Sequence, residues 1–434
     1  MKNAAGHSPG GYFFVVRTPL RHWPGWPPLL HFRHKVSFLS GRLFIDNSGT
    51  SPLPNRYHFV IEEKTPMPPA LEAEGQRVLR SFRASRIILP VLLGIAAVGY
   101  LFYHQFDPAQ FREIDWSVRA FAWIGLAFLI LILRHFFYAF RLHTITGRFF
   151  SWRKCLKLIV LWEFSAALTP TSKGGPFVML FVLTQEKLAA GRTAAAVFYT
   201  MVLDSGFFLL TLPVLLLIYG PPMLYPGMTS FSDVRLASGT FFVTYSLMFT
   251  YWLMLIFFLL IRPRYAKNAM GYLAGFSLLK KWSAKLKLLG EEFTLAAEEI
   301  RRRDWRYHLN VVIGTVGAWT SKFIMINCLI IALVPSTPVD GTTQAFLYAR
   351  LVAMFIIMAF SPTPGGAGLA EMALVGFTSD YVPAGVGIVV ALLWRGMAYY
   401  GYLLLGAILV PGWIANNIGK KAQKAEAADK TKKG

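Results

Sequence analysis

Apolar residues in this chain gather into long runs separated by short polar stretches. Continuous hydrophobic runs occupy residues 86–103, 117–142, 194–219, 238–261, 308–334 and 384–410. At 1.5 Å rise per residue, helices of about 18 to 27 residues cross a hydrocarbon core of about 30 Å. Two further runs, 155–183 and 343–377, have the same composition but are interrupted. The first contains Thr169-Pro170-Thr171-Ser172-Lys173-Gly174-Gly175, and the second contains Ser361-Pro362-Thr363-Pro364-Gly365-Gly366. Proline removes an amide and clashes with the preceding turn, and paired glycines admit left-handed backbone, so each run reads as helix, break, helix. Bare amides and carbonyls cost several kcal/mol in hydrocarbon, and irregular chain survives there only when buried in protein or lining a cavity. A matched pair of broken segments, one per half, is the sequence mark of a transporter's binding site.

Composition agrees with a membrane protein. The 434 residues are 55% hydrophobic and only 15% charged, with mean hydropathy +0.47, whereas soluble domains carry about a quarter charged residues. Cys155 and Cys328 lie far apart at or inside apolar stretches, so no disulfide framework, metal cluster or cofactor site is implied. The net charge of +22 does not point to nucleic acid, because Lys and Arg sit in the loops between spans. There they set orientation and meet anionic headgroups.

Charge placement then selects a topology. Arg77, Arg80, Arg83 and Arg86 put the start of the first span inside, and Asp107, Glu113 and Asp115 read as outside. Arg141, Arg148, Arg153, Lys154 and Lys157 after the second span read as inside again. Were 155–183 to cross fully, linker 262–307 with its eleven Lys/Arg would lie outside, against the positive-inside rule. A re-entrant hairpin keeps that linker and the basic tail 416–434 inside. The reading is an all-α polytopic bundle of about six spans plus two re-entrant broken-helix hairpins. Span–hairpin–span recurs at about 117–219 and 308–410 with opposite orientation, an inverted repeat in which Asp204 and Arg395 follow the two breaks. Both termini then face the cytoplasm.

Residues 67–415 thus form the membrane domain, and 416–434 a basic disordered tail. Residues 1–66 show no sustained period and hold five of the nine His; they read as a disordered or mis-started extension. In the linker, Leu279, Trp282, Leu286, Leu289, Phe293, Ala296 and Ile300 make one helical stripe. Two placements remain open for it, flat on an anionic inner leaflet or packed on the protein's own spans.

Ionisable side chains at membrane depth are costly and mark function. The set is Glu163, Asp204 and Glu371 against Lys173, Lys322, Arg350 and Arg395. Glu163 and Lys173 flank the first break, Arg350 and Glu371 the second. The glycines Gly174 and Gly175, and Gly365, Gly366 and Gly368, each precede a new half-helix whose free amides suit phosphate or carboxylate. With Pro170, Pro362 and Pro364 at the breaks, these residues form the candidate substrate site. Charge pairs that merely lock helices together are the competing reading. No metalloprotease, nucleophile-elbow or phosphate-loop motif is present, and no catalytic domain is expected beyond the last span.

Three stretches also carry a resemblance: Leu133-Arg134 through Arg141-Leu142; Leu168-Thr169-Pro170 through Gly175 with Asp204 following; and Ser361 through Glu371 with Arg395 beyond. Over about residues 85–415 the chain resembles the lysylphosphatidylglycerol synthase transmembrane family, also called flippase-like membrane proteins. The resemblance implies a bacterial or archaeal plasma-membrane protein that moves a polar, phosphate-bearing or anionic lipid between leaflets. Full-length synthases of that family add an aminoacyl-transferase domain that this chain lacks, and Lys173 ahead of the glycines departs from the usual pattern. The expectation is therefore a lipid transporter without enzymatic activity, able to self-associate as a homo-oligomer. The alternatives are a non-transporting partner of a lipid-modifying enzyme and a membrane glycosyl- or aminoacyl-lipid transferase.

Overall fold

Serine, aspartate and proline start the long apolar helices, and glycine or a change to polar sequence stops them. The computed structural model describes residues 36–39, 42–45, 114–168, 175–230, 237–275, 283–359, 366, 368–414 and 416–417. Residues 1–66 and 67–434 are separate units. Within the first, strands β1 (Val36–Leu39) and β2 (Arg42–Ile45) pair antiparallel, with Val36 opposite Ile45. This hairpin had no counterpart in the sequence reading. The remainder of the N-terminal stretch, the expected span at 86–103 and the tail from 418 lie outside the described residues.

In the second unit, Ser117 accepts a hydrogen bond from the Ala120 amide and opens α1 (Val118–Ile145). The first broken run gives α2 (Trp152–Leu168) and α3 (Gly175–Gln185). Then come α4 (Ala190–Tyr219) and α5 (Ala237–Ile256), the latter ending in a π-turn at Phe257–Ile261. The linker folds as α6 (Pro263–Gly275) and α7 (Ser283–Arg301). Asp304 caps α8 (Trp305–Leu333), and Asp340 caps α9 (Gly341–Met358). After α10 (Leu369–Phe377), helix α11 (Ala384–Arg395) passes through a π-turn at Gly396–Tyr400 into α12 (Gly401–Ile414).

Among the described residues six helices are long and apolar enough to cross a membrane: Val118–Ile145, Ala190–Tyr219, Phe242–Ile261, Trp305–Leu333, Gly341–Met358 and Ala384–Ile414. Five of them coincide with expected spans. The sixth, α9, was read as one limb of a broken run, yet its 18 residues alone reach about 27 Å.

Both broken runs fold back on themselves. At the open end of the first, Lys154 forms a salt bridge with Glu186. Near its tip a Cβ on Gly175 would sit 2.7 Å from Ala166 Cβ, so only glycine lets the two limbs meet. In the second, Arg350 midway along α9 donates to the Phe377 carbonyl at the end of α10, 3.2 Å away.

Helix α8 runs antiparallel to α1, and the Tyr307 hydroxyl at its start donates to the Ile145 carbonyl at the end of α1. Cβ atoms on Gly314 and Gly317 would meet Arg141 and Phe137 at 3.0 and 2.7 Å, the close approach that small residues permit between membrane helices. The far half of α8 (Phe323, Ile326, Leu329, Ile330) packs with Leu347 and Leu351 of α9 in the main core.

The described part of the linker stripe packs on the protein's own spans. Phe293, Ala296, Ala297 and Ile300 of α7 are buried against Ala194, Ala195, Ala196 and Tyr199 of α4. The Gly191 amide donates to the Glu292 carboxylate at 3.0 Å. A row of alanines gives α7 a flat apolar seat, which is the second of the two placements left open for the stripe; Leu279 and Trp282 lie outside the described residues.

Candidate functional site

A cavity of about 310 Å³ has in its wall Ala166, Ala167 and Pro176, near the first break in sequence, and Met358, Ala359 and Gly366, near the second. Five helices bring ionisable side chains to it: Arg134 from α1, Glu163 from α2, Asp204 from α4, Lys322 from α8 and Arg395 from α11. Phe208, Trp319, Phe355, Trp394 and Tyr399 supply much of the remaining wall.

Most of the charge is matched. Arg134 is buried and donates to Glu163 at 3.0 Å and to the Tyr402 hydroxyl at 3.5 Å. Arg141 forms a bidentate pair with Asp204 and also reaches Thr315 Oγ1 at 3.3 Å. Asp204 accepts a further bond from Trp319 Nε1 at 2.9 Å. Arg395 Nε donates to Glu371 at 2.7 Å, with both side chains only 6% exposed, and its guanidinium lies 4.0 Å over the Tyr399 ring. Placing buried ions in pairs offsets part of their desolvation cost.

Lys322 is the exception. Its amine lies over the Phe355 and Trp319 rings at 4.2 and 4.9 Å from their centroids. Among the described residues it has no hydrogen bond or ion pair. Among the described residues around the cavity, four basic side chains (Arg134, Arg141, Lys322, Arg395) face three carboxylates (Glu163, Asp204, Glu371), and Lys322 is the one left without an acidic partner. Trp394 Nε1 is buried and lacks a partner among the described residues, leaving a neutral donor on the same wall. Among the described residues no three His, Cys, Asp or Glu side chains converge on a metal position.

The sequence candidates separate into groups. Glu163, Asp204, Gly366 and Arg395 line the cavity. Glu371 stands one step behind, in the first turn of α10, holding Arg395. Gly366 and Gly368 have φ of 72° and 81°, the left-handed backbone the glycine argument required. Gly175 is the contact point between limbs rather than a wall residue. Pro170, Lys173, Gly174, Pro362, Pro364 and Gly365 lie outside the described residues.

Arg350 belongs elsewhere. It is buried away from the cavity, donating to the Pro222 carbonyl at 2.9 Å, to Phe377 and to Asp380. It ties the turn after α4 to the open end of the second hairpin. Arg141 also needs correction: it is a buried partner of Asp204, not a loop charge. Arg134 and Arg141 were the legible omissions, since they lie two helical turns apart inside an apolar run. The tryptophans of the wall gave no such signal.

The family model for the lysylphosphatidylglycerol synthase TM region matches residues 87–406. A UPF0104 membrane protein of Archaeoglobus fulgidus is 27% identical over 346 residues, covering 74% of this chain and 95% of that protein. No solved structure matches the chain. With the match running from before α1 into α12 and enclosing every residue of the cavity, this chain belongs to the lysylphosphatidylglycerol synthase transmembrane-region family.

Proposed function

We propose that the protein carries a lipid with a phosphate-bearing, anionic headgroup from one leaflet to the other, and that it is a transporter rather than an enzyme. The observation that supports this reading is Lys322, which among the described residues has no carboxylate partner in a cavity whose other described basic side chains, Arg134 and Arg395, are each paired with one. A bound phosphate would complete the charge balance, and Trp394 Nε1–H stands ready as a second donor. Met201, Phe208, Met248 and Phe355 offer the apolar side along which the tails remain in hydrocarbon.

Two re-entrant hairpins in an inverted repeat give this cavity its position. The order α1, α2, α3, α4 has lengths of 28, 17, 11 and 30 residues. The order α8, α9, α10, Ala384–Ile414 has 29, 18, 9 and 31. Hairpins entering from opposite faces would bring their breaks together within the bilayer, where transporter sites lie. The end bearing the basic linker then faces the cytoplasm of a bacterial or archaeal cell.

The test is headgroup translocation in reconstituted vesicles carrying a fluorescent phosphatidylglycerol, read by quenching of the outer leaflet. The wild-type protein moves the label across, and Lys322→Met does not. Absence of movement with wild-type protein, for anionic and zwitterionic phospholipids alike, would favour the non-transporting partner instead. Turnover of a lipid-linked donor would favour a transferase.

A further inference from the structure

Two buried charged residues outside the cavity close the open ends of the two hairpins. Glu186, just after α3, is buried; it pairs with Lys154 at the start of α2 and accepts from Trp413 Nε1 at 2.8 Å and Asn417 Nδ2 at 3.2 Å. Arg350 is among the largest fully buried side chains, held by the Pro222 and Phe377 carbonyls and by Asp380.

These clusters lie at opposite ends of the same two spans. Glu186 comes four residues before α4 begins at Ala190, and Pro222 comes three after it ends at Tyr219. Asp380 precedes Ala384, where the last span begins, and Trp413 stands at its other end. A 30-residue helix is about 45 Å long. The cavity, lined by Asp204 of α4 and Arg395 of the last span, lies between.

Each cluster joins a hairpin to one end of the long spans and leaves the other end alone. The Glu186 cluster fixes α2–α3 to the end of α12; the Arg350 cluster fixes α9–α10 to the turn after α4. We infer that these are two clasps, one per face, and that releasing one opens the cavity to that face alone. This rests on the translocator reading, in which a headgroup must enter from one side and leave by the other. A clasp of buried, hydrogen-bonded charge suits the task because it has two discrete states, closed and open to water.

A cysteine reporter tests this without any lipid. Ser205 lines the cavity, so Ser205→Cys in a Cys155→Ala, Cys328→Ala background reports access by a membrane-impermeant maleimide applied to either face of sealed vesicles. Glu186→Gln raises the labelling rate about tenfold from the face bearing Lys154 and changes it less than twofold from the other. Asp380→Asn does the reverse. Trp413→Phe, which removes one donor to Glu186, gives the same sidedness at about threefold and decides the matter if Glu186→Gln fails to fold. Equal increases from both faces, a reversed sidedness or no increase would overturn the inference. Sided labelling in a protein that moves no phospholipid would leave the clasps standing and remove the translocator reading.

Discussion

Replacing Lys322 with methionine should make the protein more stable and inactive together. The ammonium has no carboxylate partner among the described residues and is held by two aromatic faces. A lysine near the centre of a membrane helix costs roughly 2.5–3.5 kcal/mol on insertion scales. Cation–π attraction in a desolvated site returns about 2 kcal/mol. Methionine keeps the volume and the aromatic contacts while removing the charge, so the variant should gain about 1 kcal/mol, roughly fivefold in the folding equilibrium. The assay pairs reversible unfolding in mixed micelles with phosphatidylglycerol translocation in vesicles. Translocation should fall at least tenfold, while Lys322→Arg retains part of it. A Lys322→Met protein less stable than wild type by more than about 1 kcal/mol, or one that moves lipid at the wild-type rate, would refute the reasoning. In the first case the amine has a partner, and in the second its charge is idle.

Arg395 and Glu371 should behave in the opposite way, because each is buried with the other. Glu371→Leu or Arg395→Met alone should cost about 3–5 kcal/mol by stranding a charge, and the double variant should regain at least half in the same unfolding assay. Additive losses would show that the pair is not coupled. Gly191→Ala should cost about 1–3 kcal/mol, since its Cβ would overlap Glu292 Cβ and press α4 off α7. Gly125→Ala, with open space around it, should gain about 0.5–1 kcal/mol; thermal unfolding compares the two. At the start of α9, the Thr342 hydroxyl and the Thr343 amide hold the Asp340 carboxyl down at about 2. The folded state therefore favours its ionised form, a stabilisation present above the ordinary carboxylate value near 4 and lost as pH falls toward 2. The gap in unfolding midpoint between wild type and Asp340→Asn should be constant above pH 5 and close at pH 2.

What could be read from the sequence follows from how strongly hydrocarbon constrains a chain. Span length and the two breaks were legible because a membrane helix must be apolar for about twenty residues, and Pro-Gly segments inside such runs leave few alternatives. Glu163, Asp204 and Arg395 were legible for the same reason: a charge inside an apolar run stands out. Which charge pairs with which was not. Arg141 joins Asp204 across 63 positions and Arg134 joins Glu163 across 29, and these partnerships depend on helix rotation and crossing, which composition leaves open. Arg350 shows the cost of that gap, since its depth matched a site residue while its direction served the outer turn. The seat of the linker stripe was left open for a related reason. An amphipathic helix has the same pattern whether its apolar face meets lipid or the alanines of α4.

Pairing explains how one basic side chain can stay without a carboxylate partner among the described residues of this bundle. Four unpaired cations would cost about 10–14 kcal/mol on insertion scales, comparable to the entire stability of a typical domain. Three carboxylates remove most of that burden but leave their arginines less able to accept a ligand, because each guanidinium already has an oxygen partner. Lys322 retains its capacity for a new partner at a cost the fold can bear. A fully paired cavity would be a rigid helix lock, and a fully unpaired one would not insert. The described residues lie between these extremes: the paired charges hold the walls in place, and the Lys322 amine is where an anion from the membrane surface would gain most by arriving.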